Sequence, residues 1–243
     1  MDNQEQPQFV HLHCHSHYSL LDGLSKIPDL VVRAKELGMT ALALTDHGVM
    51  YGSIEFYKAC KKHDIKPIIG VEAYMAERSR FDKDVSLDRK NYHLTLLAKN
   101  EIGYHNLIKL VSRASLEGFY YKPRMDEELL QEFNEGIICL TGCPTGRFIQ
   151  ALRNRNENEA RRILNFYIST FGKENVFVEV TNHVEIEWYT PIIPKIQELS
   201  NEFDIPMVAT WDSHYLYKDD KEAHNTLLAI NTNNAEFKIN GDY

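Results

Sequence analysis

Short apolar runs alternate with helical patterns along most of this 243-residue chain, and this alternation limits its fold more than any other feature. In the clearest helical segment, apolar residues recur at helical spacing from Ile27 to Leu37, with Pro28 in the first turn and Gly38 just past the end. The predicted strands are Phe9–His15, Ala41–Thr45, one within Lys66–Ala76, His93–Ala98, Gly136–Thr141, Asn175–Thr181 and Pro206–Trp211. The other predicted helices are Ile54–Cys60, Gly103–Leu116, Asp126–Phe133, Gly146–Arg153, Glu157–Phe171 and Pro191–Phe203.

Seven strands separated mostly by helices predict an α/β protein with right-handed crossovers and a parallel sheet, open or closed. We favour a barrel, because such barrels commonly form one domain of roughly 200–250 residues. The segment Glu77–Tyr92 is charged and aperiodic, so we expect a surface loop there. Asn231–Tyr243 also lacks a strong period and is expected to be a tail.

The composition is that of an ordinary globular protein, with 43% hydrophobic and 26% charged residues. No apolar run approaches the ~20 residues that span a bilayer, and residues 1–8 lack the apolar stretch of a signal peptide. We therefore expect a cytoplasmic protein with no membrane partner and with four reduced cysteines. A net charge of −8 argues against duplex binding through a basic surface. A nucleic-acid substrate would need bound cations or a local basic patch.

Four histidines, at positions 11, 13, 15 and 17, alternate in the first predicted strand. Alternate residues of a strand share one face, and a row of imidazoles is poor core material because each neutral ring carries a donor and an acceptor that need partners. Metal ligation satisfies these atoms directly, whereas an exposed strand edge with incidental histidines is the less favoured alternative. We interpret His13 and His15 as the central pair, and His11 and His17 as candidates for orienting a ligand or binding phosphate.

Further imidazoles, carboxylates and one thiol lie at the ends of predicted strands, where α/β proteins build their sites. His93 is the exception, because it opens its strand. This inventory suits zinc, manganese or iron, and its size implies two or three divalent ions. Clustered divalent ions chiefly serve phosphoester hydrolysis. The strand-end candidates are Asp46, His47, Glu72, Cys143, His183, Asp212 and His214.

Packing explains several other residues of ligand type better than ligation does. Asp46 is left open between a metal ligand and a carboxylate that orients a bound imidazole. The expected core thiols are Cys14, Cys60 and Cys139, and the histidines expected on exposed helical faces are His63, His105 and His224.

Five short motifs follow one another along the chain: His13–His15, Thr45–Gly48, Gly70–Glu72, His93 and Asp212–His214. Their types and order resemble those of the polymerase and histidinol phosphatase (PHP) family. Four further stretches, Ser19–Gly23, Gly52–Tyr57, His93–Asn100 and Gly103–Leu107, resemble in particular those of bacterial DNA polymerase III α subunits. This resemblance implies that residues 1–243 are a single PHP domain excised from the amino terminus of a larger polymerase, with 231–243 leading into the missing part.

The resemblance implies a distorted seven-stranded (β/α) barrel that holds three metals in a cleft. It implies that Glu72, Asp212 and His183 are the catalytic residues, with His183 contacting the metals or the scissile phosphate. Cys143 stands where many relatives carry His, which favours zinc at that position. The implied ligand sets are His13, His15, Glu72 and Asp212 for one metal, Glu72, His93 and Cys143 for a second, and Asp22, His47 and His214 for a third.

An intact ligand set implies an active phosphoesterase, and the polymerase resemblance implies a 3′–5′ proofreading exonuclease. One alternative is a catalytically silent, metal-stabilised module that stabilises the polymerase or docks a separate proofreading subunit. Another is a free-standing small-molecule phosphatase of the histidinol-phosphate type. Tyr120–Arg124 joins aromatic to cationic residues, so Lys122 and Arg124 are candidate contacts to single-stranded or primer-end DNA. Packing of this segment against the remaining polymerase domains is an equal alternative.

Overall fold

The computed structural model describes residues 9–181 and 185–232, which form one curled sheet with helices packed against it. In these two ranges, no helix is long and apolar enough to cross a membrane. The strands are β1 (Ala41–Leu44), β2 (Lys66–Ala76), β3 (Asn91–Ala98), β4 (Arg124–Met125), β5 (Ile137–Leu140), β6 (Val176–Thr181) and β7 (Met207–Thr210). The helices are α1 (Ile27–Glu36), α2 (Ser53–Lys62), α3 (Glu101–Leu116), α4 (Glu127–Glu132), α5 (Arg147–Arg153), α6 (Glu157–Phe171), α7 (Ile193–Phe203) and α8 (Lys221–Thr232).

The strands are ordered β1-β2-β3-β5-β6-β7, and β4 pairs with β2. Neighbouring strands are parallel except at β3, which is antiparallel to both β2 and β5. The prediction of a parallel sheet was therefore wrong at β3. The connection between β2 and β3, residues 77–90, contains no helix. Without a crossover helix, the chain returns beside β2 in the opposite direction.

The first predicted strand, Phe9–His15, is not a strand in the structure. Cys14 alone forms a bridge, to Ser213 after β7. In a strand the Cys14 N–H would donate to a backbone carbonyl, but here it donates to the side-chain oxygen Thr45 Oγ1 at 3.0 Å. The Thr45 N–H donates back to the Cys14 carbonyl. The segment therefore lies between the edge at β1 and the residues that follow β7, and it brings the two edges of the curled sheet together.

Local sequence signals position α1 to α7 as predicted, whereas α8 was not predicted. Helix α1 has Pro28 in its first turn and is followed by Gly38, whose φ of 75° suits a residue without a Cβ. Helix α3 begins after Asn100, whose side chain accepts the Gly103 N–H at 3.0 Å. The face that α1 buries consists of Ile27, Leu30, Val31 and Ala34.

The core of the described residues consists of three apolar clusters. In the largest, β2, β3, β5 and β6 meet α3, α5, α6 and α7; a smaller one lies beneath α1 and α2, and a third is formed by Ala43, Leu97 and Leu140 of the sheet. Cys139 lies in the large cluster, and Cys14 and Cys60 lie in the smaller one, as predicted. All four cysteines are free and buried, which agrees with the expectation of reduced thiols.

The predicted surface loop between β2 and β3 is anchored to the body by Arg124, whose side chain is fully buried. The Arg124 guanidinium donates to backbone carbonyls and is not available to a phosphate. The prediction that Arg124 contacts DNA was therefore wrong, because this side chain satisfies carbonyls that burial has removed from water. The four acceptors are the carbonyls of Arg80, Asp82, Asp88 and Gly118, at 2.7–3.1 Å.

Candidate metal centre

The predicted ligands converge at one edge of the sheet, where β1, β5 and β7 end and where Glu72 lies four residues before the end of β2. The reversal of β3 explains why His93 belongs with them, although it lies near the start of its strand. The amino end of an antiparallel strand lies at the same edge as the carboxyl ends of its neighbours. Accordingly, the His93 and Glu72 side chains approach to 2.7 Å, from Nδ1 to Oε1.

The first group of donors contains His13, His15, Glu72 and Asp212, whose ligand atoms all lie within 4.8 Å of one another. The His13 Nε2 atom is 3.2 Å from Glu72 Oε1 and 3.3 Å from Asp212 Oδ1. The His15 Nε2 atom is 3.3 Å from Glu72 Oε2 and 3.1 Å from Asp212 Oδ1.

Four buried atoms of this group have polar neighbours but make no contact with hydrogen-bond geometry: His13 Nε2, His15 Nε2, Glu72 Oε2 and Asp212 Oδ1. Buried polar atoms are nearly always paired, and each unpaired one costs about 1–3 kcal/mol. A single divalent cation would satisfy all four at once, and two imidazoles with two carboxylates are an accepted ligand set for zinc, manganese or iron. The residues of the first group therefore fit a metal ion.

A second group shares Glu72 with the first and adds His47 and His93. The His47 Nδ1 atom is 2.7 Å from Glu72 Oε2. The thiol of Cys143 completes the surroundings, at 3.4 Å from Glu72 Oε1 and 3.5 Å from His93 Nδ1. Both oxygens of Glu72 thus face donors of both groups, which is the arrangement of a bridging carboxylate.

A third group contains His15, His47 and His214. Asp22 lies beside it, with Oδ2 at 2.9 Å from His47 Nε2 and Oδ1 at 3.6 Å from His214 Nε2. The structure thus brings together nine of the ten predicted metal ligands. The tenth, His183, lies outside the described residues.

Asp212 reaches the cluster through an unusual backbone conformation. Its φ of 53° lies in the left-handed region, which Asp tolerates better than most residues with a Cβ. This turn follows β7 directly, and the Asp212 carboxylate contacts both His13 and His15.

A buried carboxylate that sequence reasoning missed orients His13. The His13 Nδ1–H donates to Glu179 Oε1 at 2.6 Å, which leaves Nε2 as the atom that faces the first group. The Thr210 hydroxyl donates to the same oxygen, and the Thr95 hydroxyl donates to Glu179 Oε2. Such carboxylate–histidine pairs fix the tautomer and the ring orientation of a metal ligand. The available signal was an acidic residue inside the apolar strand β6, on the face that points into the curled sheet.

The sequence left Asp46 open between two roles, and the structure shows that it orients the His15 ring through Ser19 and is not in any of the donor groups. Its carboxylate accepts hydrogen bonds from the Ser16 N–H and hydroxyl and from the Ser19 hydroxyl, at 2.7–2.8 Å. Ser19 Oγ in turn lies 2.9 Å from His15 Nδ1. The Nε2 atom of His15 therefore faces the first group for the same reason as that of His13.

The buried carboxylates of the centre need positive charge close to them, and the shifted pKa values show that the imidazoles supply it. Burial alone would raise the pKa of Glu72, but His93, His13 and His47 outweigh it and hold that pKa well below its usual value. Burial alone would lower the pKa of His47, yet Glu72 and Asp22 raise it to about 10. Burial and the Glu72 charge raise the pKa of the Cys143 thiol well above normal. Protons on the imidazoles thus balance the carboxylates, and a divalent cation would replace them.

Lys122 lies at the rim of the centre. Its exposed Nζ is 5.2 Å from the centroid of the Tyr74 ring, and that ring packs against His47 and His93 with centroid distances of 5.8 and 5.3 Å. Tyr121 beside it is 60% exposed.

Three other histidines, His11, His17 and His224, are in none of the three donor groups. The half-buried His11 and His17 rings pack against Phe9 and Tyr18. His224 was expected on an exposed helical face, but the structure shows it 5% exposed, so that prediction was wrong. Its Nε2 atom is 3.7 Å from Asp22 Oδ1, beside the third group.

Comparison with known proteins places this geometry in a family. The pattern of the PHP domain matches residues 11–183. The chain is 47% identical over 92% of its length to the DNA polymerase III subunit alpha of Treponema pallidum, and 45% identical over 92% to that of Thermus aquaticus. It spans about a fifth of the length of these relatives, 19% and 18% respectively.

Two solved structures share the fold. One, described as a candidate metal-dependent phosphoesterase of Bifidobacterium adolescentis, matches with a TM-score of 0.54 at 14% identity, covering 87% of this chain and 89% of that one. The other, an amidohydrolase of Chromobacterium violaceum, matches with a TM-score of 0.53 at 16% identity, covering 84% and 87%. The chain therefore belongs to the PHP domain family, with DNA polymerase III α subunits among its relatives.

Proposed function

We propose that this chain is the metal-dependent phosphoesterase module of a bacterial DNA polymerase III α subunit, and that it acts as a 3′–5′ proofreading exonuclease. The observation that carries the proposal is the carboxylate of Glu72, which is shared by two of three overlapping groups of donors, together with the buried atoms without hydrogen bonds in these groups. Clustered divalent ions with a bridging carboxylate suit phosphoester hydrolysis. The polymerase relatives support DNA as the substrate.

In this proposal two or three divalent ions of zinc, manganese or iron are the cofactors. When bound, such ions lower the pKa of water and neutralise phosphate oxygens. The proposed ligand sets are His13, His15, Glu72 and Asp212 for the first ion, Glu72, His93 and Cys143 for the second, and Asp22, His47 and His214 for the third.

The chain supplies position and charge. Glu72 and Asp212 contribute the negative charge that holds the ions, and Glu179 and Asp46 fix the rings of His13 and His15. We further propose that Lys122, at the rim, contacts a phosphate of the DNA strand as it approaches the centre. The predicted catalytic role of His183 stays a prediction.

A second candidate function, a metal-stabilised structural module, is favoured by one observation. His13 and His15 lie on the segment that joins the two edges of the sheet, and Asp212 lies on the segment that it meets there. Ions at this seam would hold the sheet closed whether or not the centre hydrolyses anything. Such a module would serve the remaining polymerase domains or a separate proofreading subunit as its partners.

A nuclease assay separates the two functions. The purified 243-residue chain is incubated with Mn²⁺ or Zn²⁺ and a labelled primer, either single-stranded, matched or mismatched at its 3′ end, and in parallel with a generic phosphomonoester. Asp212→Asn serves as the matched variant, because it keeps the size of the side chain but removes the charge. A chelator control identifies dependence on metal.

We expect the wild-type chain to shorten the primer from its 3′ end, and Asp212→Asn to lose this activity by orders of magnitude with little change in folding. No degradation of DNA by the wild type, together with a loss of thermal stability in Asp212→Asn, would instead support the structural module. Faster hydrolysis of the phosphomonoester than of DNA would support a small-molecule phosphatase.

A further inference from the structure

Helix α8 packs on the protein with Leu227, Leu228 and Ala229 half-buried, and its most buried side chain is an imidazole. Across Lys221–Thr232, all of which the structure describes, His224 is the one buried side chain. An apolar stripe is the usual means by which a surface helix packs on its protein, so a polar ring in this role requires an explanation.

The His224 ring is aimed at the candidate metal centre. Its Nε2 atom is buried and has no hydrogen-bond partner, and it lies 3.7 Å from Asp22 Oδ1. The ring also packs against His214 and Tyr215, with centroid distances of 5.7 and 5.2 Å. A buried nitrogen left unpaired so close to a carboxylate is one short movement from a hydrogen bond.

Three imidazoles surround the Asp22 carboxylate. His47 faces Oδ2, whereas His214 and His224 face Oδ1. His47 and His214 both belong to the third group of donors, so a bound cation would draw their nitrogens away from Asp22. His224 is not in that group and stays available to hold Oδ1.

We propose that His224 is a positioning residue, whose Nε2–H holds the Asp22 carboxylate for the third metal and thereby couples the docking of α8 to metal binding. The inference rests on the proposed metal centre. Partners of this kind typically change metal affinity by roughly 10- to 100-fold. Coupling is reciprocal, so metal binding also stabilises the docked position of α8.

The test compares two variants of the full chain. His224→Gln can keep a side-chain N–H near the position of Nε2, and His224→Phe keeps an aromatic ring but no donor. After the metals have been stripped and folding has been checked by circular dichroism, each protein is titrated with Mn²⁺ by calorimetry. We expect His224→Phe to weaken one class of sites by roughly 10- to 100-fold, and His224→Gln to bind as the wild type does.

Hydrogen exchange of α8 provides a readout that packing alone would not change. In the wild type, Mn²⁺ should slow exchange of the amides of Lys221–Thr232, and this effect should disappear in His224→Phe. Metal affinity of His224→Phe equal to that of the wild type overturns the inference. So does wild-type α8 exchange that is independent of metal, a result that requires no variant to fold. A wild type that binds no Mn²⁺ overturns the proposed function itself.

Discussion

Replacing Glu179 by Gln tests how the protein prepares His13 for a metal. In the wild type, His13 Nδ1 lies 2.6 Å from Oε1 of the fully buried Glu179 carboxylate. Gln keeps the shape of this side chain and still offers an oxygen to the Nδ1–H. Hydrogen bonds to charged groups are worth about 1.5–3 kcal/mol, against about 1 kcal/mol for neutral ones. The difference of about 0.5–2 kcal/mol corresponds to roughly 2- to 30-fold weaker metal binding.

The assay is calorimetric titration of the metal-stripped chain with Zn²⁺ or Mn²⁺. Thr210→Val is the matched control, because it removes a different hydrogen bond to the same carboxylate and leaves the contact with His13 intact. We expect its effect on affinity to be smaller than that of Glu179→Gln, and the fold of both variants to be retained. Wild-type affinity and stoichiometry in Glu179→Gln would refute the proposed orienting role.

Three further predictions concern the shared carboxylate of Glu72, the proton on His47, and the different roles of Arg124 and Lys122. Glu72→Ala should lower metal content and abolish phosphoesterase activity together, since its carboxylate faces two groups of donors; full metal content measured by elemental analysis, with wild-type turnover, would show that the bridging role is wrong. Metal binding should strengthen as pH rises, because below a pKa of about 10 a metal must displace a proton from His47; equal binding heats at pH 7 in buffers of different ionisation enthalpy would contradict this. Arg124→Met should lower the free energy of unfolding by about 4 kcal/mol or more, because four carbonyls lose their donor, whereas the exposed Lys122→Ala should raise the KM for DNA without changing the urea midpoint. A raised KM for DNA with unchanged stability in Arg124→Met would instead indicate that Arg124 contacts the DNA.

Helices α1–α7 and strands β1–β3 and β5–β7 were predicted from the sequence, because such elements follow local rules, whereas β4 and α8 were missed and Phe9–His15 was wrongly predicted as a strand. Helical spacing, Pro28 and Gly38 located α1 to within a residue or two of its observed bounds. The side chains that follow β1, β5 and β7 lie close together in the structure, which follows from the common direction of these strands. Glu72 lies four residues before the end of β2, and His93 joins them only because β3 is reversed.

Features that depend on tertiary pairing could not be predicted in this way. The direction of β3 is decided by its partners. So is the replacement of the first predicted strand by a segment in which the Cys14 N–H bonds to a side chain and the His15 N–H bonds to the Ser213 carbonyl. Burial of His224 and Arg124 likewise depends on contacts that are distant in sequence. Glu179 was missed because an isolated acidic residue in a strand commonly indicates a solvent-facing side, whereas here that face lines the candidate centre.

The metal content of the purified chain tests the central claim most directly. Elemental analysis after growth in metal-replete medium should find two or three transition-metal ions per folded chain, and Asp212→Asn should contain fewer. A fully folded wild-type protein that contains no transition metal would contradict the proposed metal centre.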